Sequence, residues 1–138
     1  MKNAVTVDAS VLVNAFSPEE EGSEDSMAFL TRLSEERTPL IQPTLFLPEI
    51  TASIARKQDD TDAALELERD LKSFLELTLI DLDEDLADFA SEVAAKHRLR
   101  GSDSVYAAVT LRFGTELSTL DREQLERLPK VLSLRKPG

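Results

Sequence analysis

Short β-favouring runs alternate along the chain with longer stretches whose apolar residues recur every three or four positions. Ala4-Val5-Thr6-Val7 is the first such run. Residues 10–16 then carry Val11, Leu12, Ala15 and Phe16 at helical spacing, until Ser17-Pro18 and three glutamates break the pattern. Residues 23–36 predict a surface helix with Met27, Leu30 and Leu33 on one face, and residues 38–41 a brief strand ended by Pro43. Thr44 reads as the cap of a helix reaching Lys57, with Pro48 near the first turn, where a missing N–H costs least. Residues 59–76 are amphipathic through Leu65, Leu67, Leu71, Phe74 and Leu75. A strand over 77–82 is followed by helices over 83–99 and 102–113, the second closed by Gly114. A strand over 116–120, a short helix over 122–128 and a strand over 131–134 complete the pattern, and residues 135–138 read as a frayed tail. This alternation specifies an α/β fold with a mainly parallel sheet flanked by helices, as a single domain over residues 1–138.

Composition narrows the chemistry. The chain has 138 residues, which suits one domain, and its 41% hydrophobic and 31% charged content is that of a globular protein. With no cysteine, disulfides, thiolate nucleophiles and Cys-based zinc sites are excluded. One histidine, His97, excludes HExxH sites, and its place among basic residues at a helix end gives it a dipole-complementing role. Glycines at 22, 101, 114 and 138 cannot build a dinucleotide or phosphate-binding loop. The longest apolar run, 105–109, is too short to cross a membrane, and the N-terminal residues lack a signal peptide's apolar stretch. A soluble, cytoplasmic protein with no membrane partner is expected. The net charge of −11 repels nucleic acid at long range, so an enzyme acting on it must bind locally, through metal ions and a few arginines.

The most informative feature is where charge is missing. Between Asn3 and Pro18 the one charged residue is Asp8; between Ile41 and Ala55 it is Glu49; between Gly101 and Leu111 it is Asp103. Such windows face a core, and a carboxylate is rarely buried unless it is paired or binds a metal. Asp8 follows the first strand and Asp121 follows the strand ending at Leu120, so both lie at carboxyl ends, where parallel sheets bind ligands. Asp8, Asp103 and Asp121 also fit helix caps, whereas Glu49 is past a capping position. Three or four oxygen ligands converging at one edge suit Mg²⁺ or Mn²⁺. Lys96, Arg98 and Arg100, just before Asp103, are candidates for phosphate contact.

At these residues the sequence resembles the PIN-domain ribonucleases, in particular the VapC-type toxins of toxin–antitoxin pairs. The resemblance lies in Val7-Asp8-Ala9-Ser10-Val11-Leu12-Val13, in Leu47-Pro48-Glu49-Ile50, in Gly101-Ser102-Asp103-Ser104-Val105-Tyr106-Ala107-Ala108 and in Ser118-Thr119-Leu120-Asp121-Arg122. Together, in this order, they span nearly the whole chain. The resemblance implies a Rossmann-like sheet of about five strands and Mg²⁺- or Mn²⁺-dependent cleavage of RNA, leaving 5′-phosphate and 3′-hydroxyl ends. It implies Asp8, Glu49 and Asp103 as core acids, Asp121 as a more variable fourth, and Ser10 and Thr119 as supports. It further implies a cognate antitoxin as partner and a homodimer. Ser104 departs from relatives that have alanine there.

Rival readings fit less well. An aspartate-based phosphotransferase wants a second acid two residues after Asp8, where Ser10 stands; a receiver domain wants paired acids after the first strand and a lysine after a late one, but Asp8 has no acidic neighbour and Leu120, not a lysine, follows Thr119. A non-enzymatic alternative is a catalytically weak PIN-fold binding module acting through a protein partner, with a basic segment filling its acidic groove.

Overall fold

The computed structural model describes residues 3–128 and 134–135. The buried β-branched run Val5–Val7 forms β1, and the chain then turns into helix α1 (Ala9–Ala15). After α2 (Ser23–Glu35) come β2 (Pro39–Pro43), the helix pair α3 (Phe46–Gln58) and α4 (Thr61–Phe74), and β3 (Glu76–Ile80). Helices α5 (Glu84–His97) and α6 (Gly101–Phe113) precede β4 (Glu116–Ser118), α7 (Arg122–Arg127) and β5 (Leu134–Arg135).

All strand pairs are parallel, in the order β3-β2-β1-β4-β5. Four strands fall within residues 3–128, and the fifth adds only two residues at the β4 edge. The chain builds outward from β1 in both directions, so the topological switch lies between β1 and β4. A ligand crevice opens there, beyond the carboxyl ends. Helix α6 crosses this centre, and its residues 103–110 are all buried, which explains why 101–111 carries a single charge and 105–109 no polar face.

Several boundaries differ from those the sequence predicts. β2 runs past Ile41 to Pro43, because β3 pairs with it over five registers, and the Thr44 N–H still donates to the Ile80 carbonyl at 2.9 Å. Thr44 therefore ends a strand and does not cap α3, whose preceding residue, Leu45, makes no side-chain cap. Pro48 does lie in the first turn of α3, where its missing N–H needs no partner. β4 stops at Ser118, as the backbone turns towards the Asp121 cap of α7. Arg135, expected in the tail, is the second residue of β5; of the strand expected over 131–134, residues 131–133 lie outside the described residues, as do 136–138 of the tail.

Beyond Val5↔Leu40, side chains hold β1 to β2. The Thr6 hydroxyl donates to the Ile41 carbonyl at 2.8 Å. The buried Gln42 amide accepts from the Val7 N–H at 2.6 Å and donates to the Val7 carbonyl at 2.8 Å. Gln42 thus replaces a ladder rung where the strands diverge, and it fixes the backbone that delivers Asp8.

Candidate active site

Asp8 stands where β1 becomes α1. Its backbone N–H donates to the Ser118 carbonyl at 2.8 Å, which continues the β1–β4 ladder. Its carboxylate caps α1 by accepting from the Ser10 N–H at 3.2 Å, and it also accepts from the Thr119 hydroxyl at 3.3 Å. Only 5% of the residue is exposed, and burial raises its pKa above the ordinary carboxylate value, against the pull of these hydrogen bonds. A charge held there at a desolvation cost is suited to a cation.

The β4 end is tied to the same point. Thr119 accepts from the Asp121 N–H at 2.9 Å, and the Ser10 hydroxyl accepts from the Leu120 N–H at 3.1 Å. Asp121 caps α7 through the Gln124 N–H at 2.9 Å. Capping and a place at the crevice are therefore compatible for Asp8 and Asp121. Asp103 is no cap: it sits in the first turn of α6, 7% exposed, after Arg100 at the capping position. Burial, then the Asp8 and Asp121 charges, raise its pKa, against the lowering effect of Arg100.

Glu49 enters from the first turn of α3, half-buried. Burial raises its pKa and the Asp8 and Asp103 charges add to the rise, while a hydrogen bond from Tyr106 opposes it. These mutual couplings place Asp8, Glu49 and Asp103 in one electrostatic neighbourhood, and Asp103 shares another with Asp121. The four acids come together at the switch point. An open groove of ≈ 470 Å³ leads away from Ser10 and Glu49 along α3 to Arg56. A larger apolar groove, ≈ 840 Å³ and lined by Phe16 and Met27 beside α2, contains none of the four.

Of the three basic candidates, Arg100 alone reaches the acids. Its Nε donates to Asp103 Oδ2 at 3.0 Å and its Nη2 to Asp121 Oδ2. Lys96 is exposed in the last turn of α5, and the Arg98 guanidinium bonds the Ala95 carbonyl, so both complement a helix end. The donor set is carboxylate and hydroxyl oxygen, which fits a hard divalent ion. As the side chains stand, no three acids among the described residues form a ready metal-ligating group; Asp103 and Asp121 are held by Arg100 instead.

Sequence reasoning missed three neutral groups. Tyr106 is 1% exposed, one turn beyond Asp103, and its hydroxyl donates to Glu49 Oε1 at 2.6 Å. Burial first, then the Glu49 charge, push that hydroxyl far above its ordinary pKa, so it remains a donor. As the chain's one tyrosine, inside the apolar run 105–109, it carried a signal. Gln42 was the second. The third, Gln124, is fully buried; its amide has no hydrogen-bond partner among the described residues, yet it lies near enough to Asp8 to favour the charged carboxylate.

Comparison with known proteins agrees with this architecture. The sequence profile of the PIN domain matches residues 5–131. No curated protein matches the chain significantly in sequence. DNA-bound VapBC from Salmonella typhimurium superposes with a TM-score of 0.73 at 16% identity, over 100% of each chain. PAE2754 from Pyrobaculum aerophilum gives 0.71 at 21% identity, over 98% of this chain and 84% of that one. The sarcin–ricin loop cleaving toxin VapC20 of Mycobacterium tuberculosis gives 0.69 at 16% identity, over 86% and 90%. At these identities the likeness is one of fold, whereas the profile covers nearly the whole sequence: the chain belongs to the PIN domain family.

Proposed function

We propose that this chain is a Mg²⁺- or Mn²⁺-dependent endoribonuclease, the toxin of a type II toxin–antitoxin pair. The observation that carries the reading is the convergence of Asp8, Glu49, Asp103 and Asp121 at the switch point of a PIN fold. The DNA-bound VapBC structure and that of the sarcin–ricin loop cleaving toxin VapC20 support it by fold.

Asp8 and Asp103 are the principal metal ligands in this reading. Glu49 binds metal or orients the attacking water, and Asp121 serves a second ion or acts through water. A bound divalent ion supplies the positive charge that a phosphodiester needs before water can attack it. Ser10 and Thr119 hold the β1 and β4 ends in register, so Asp8 and Asp121 keep their relative position. The groove that Glu49 lines, running along α3 to Arg56, would seat a flexible RNA strand beside the site. RNA as substrate and a cognate antitoxin as partner belong to the same reading. The binding-module alternative draws on one observation, that the seat between Asp103 and Asp121 accepts a guanidinium.

The test uses metal-free purified chain and a structured, end-labelled RNA. Cleavage is expected with Mn²⁺ or Mg²⁺ and not with chelator. Asp8→Asn, which keeps the α1 cap, should cut roughly a hundredfold more slowly, the loss of ~3 kcal/mol of transition-state stabilisation. Equal cleavage by this variant under matched conditions would refute the site; no metal-dependent cleavage of any RNA would favour the binding module.

A further inference from the structure

We propose that Arg100 is a built-in counter-cation of the site: its guanidinium bridges Asp103 and Asp121 in place of a metal ion, and a metal must displace it to load. The inference rests on the metal-dependent reading above and names a residue that regulates that site.

The geometry is specific. Arg100 occupies the capping position of α6, three residues before Asp103, and it bonds acids on two different elements, α6 and the start of α7. The acids it joins are shielded, with side chains 10% and 18% exposed, while the arginine side chain is 65% exposed. The guanidinium therefore lies across the mouth of the crevice, between solvent and the carboxylates. A planar fork suits this bridging better than an ammonium does.

Electrostatics gives the bridge its purpose. Four carboxylates converge on a partly dehydrated crevice, and like charges held together there repel. Arg100 relieves this between Asp103 and Asp121, the one pair spanning the α6 and α7 starts. Among the described residues no three acids stand ready to ligate, and two of the four are engaged by Arg100. A site of which only a fraction is open to metal binds it more weakly by that fraction. Once released, the guanidinium is placed at the crevice mouth, where the substrate's phosphate arrives. The exposure of Arg100 keeps the competition shallow, so the closed form is favoured by about fivefold.

The experiment is isothermal titration of Mn²⁺ into the metal-free full chain, its Arg100→Gln variant and its Arg100→Lys variant, with thermal melts in chelator. Arg100→Gln should bind Mn²⁺ about fivefold more tightly than the parent and melt lower in chelator. Arg100→Lys, which keeps a charge but cannot bridge as a fork, should fall between them, and it carries the test should Arg100→Gln fail to fold. Equal or weaker Mn²⁺ binding by the variants, with the parent binding normally, would overturn the counter-cation role and leave the nuclease reading standing. A parent that takes up no Mn²⁺ overturns both.

Discussion

Tyr106→Phe removes one oxygen from a packed core and leaves the ring in place. What is lost is the 2.6 Å hydrogen bond to Glu49 Oε1. A hydrogen bond to a charged group contributes about 1.5–3 kcal/mol, but Glu49 is only half-buried and water recovers part of that, so a loss of ~1 kcal/mol is expected. For a chain of 138 residues this lowers the melting temperature in chelator by about 3–4 °C. The larger effect falls on the site. Without its donor, Glu49 is free to rotate, and both Mn²⁺ affinity and kcat should fall about tenfold while KM for RNA changes little. The acid limb of the pH–rate profile should move to higher pH. The hydrogen bond favours the charged carboxylate, so its removal lets burial raise the Glu49 pKa further. Melts, Mn²⁺ titration and a pH–rate profile on parent and variant supply these readouts. A Tyr106→Phe enzyme with unchanged kcat, Mn²⁺ affinity and acid limb would refute the positioning of Glu49, whatever its melting temperature.

Two further variants test the frame and the charge. Gln42→Leu fills nearly the same volume but leaves the buried Val7 N–H and carbonyl without the amide; a stability loss of about 2–4 kcal/mol is expected by denaturant unfolding, and a loss below 1 kcal/mol would show that the rung is dispensable. Asp8→Asn should melt above the parent in chelator near about pH 7.5, with the gap closing towards about pH 4. The sign follows from burial: a carboxyl with a raised folded pKa stabilises the fold below its ordinary value and loses that contribution as pH rises through the raised one, so the parent gains on the variant as pH falls. A gap that does not vary with pH would show that Asp8 carries no desolvation cost.

The fold was legible because its signals are repetitive. The strands are short and set between helical patterns, clearest in the β-branched run of β1, and a buried central helix shows itself as the apolar run 105–109 just beyond Asp103. Boundaries were less legible because tertiary pairing decides them. Pro43 looks like a strand terminator from its missing N–H, yet β3 holds residues 39–43 in register and carries the pairing on to Thr44. The Thr44 cap failed for the same reason: a good capping residue is not free to cap while its backbone is engaged in a sheet.

The site divides along a different line. Asp8, Glu49 and Asp103 were legible because burying a carboxylate is costly, so a lone acid in an uncharged window needs a reason. Arg100 was visible as a cation but not as a bridge, since its second partner lies 21 residues away and only the fold brings α7 to the start of α6. Gln42, Tyr106 and Gln124 are neutral, and burying a neutral polar group leaves no gap in the charge pattern. They fix the Asp8 backbone, one oxygen of Glu49 and the surroundings of the Asp8 carboxylate. In the proposed metal site the acids would provide the affinity for a cation, and the uncharged donors would decide which of their oxygens remain available to it. An acid-only site would collapse onto the nearest base, as Asp103 and Asp121 have done onto Arg100, whereas Glu49 stands apart from that bridge with its hydroxyl donor. These acids are therefore held in two ways: Glu49 by the neutral Tyr106 hydroxyl from the α3 side, and Asp103 with Asp121 by the Arg100 bridge from the α7 side.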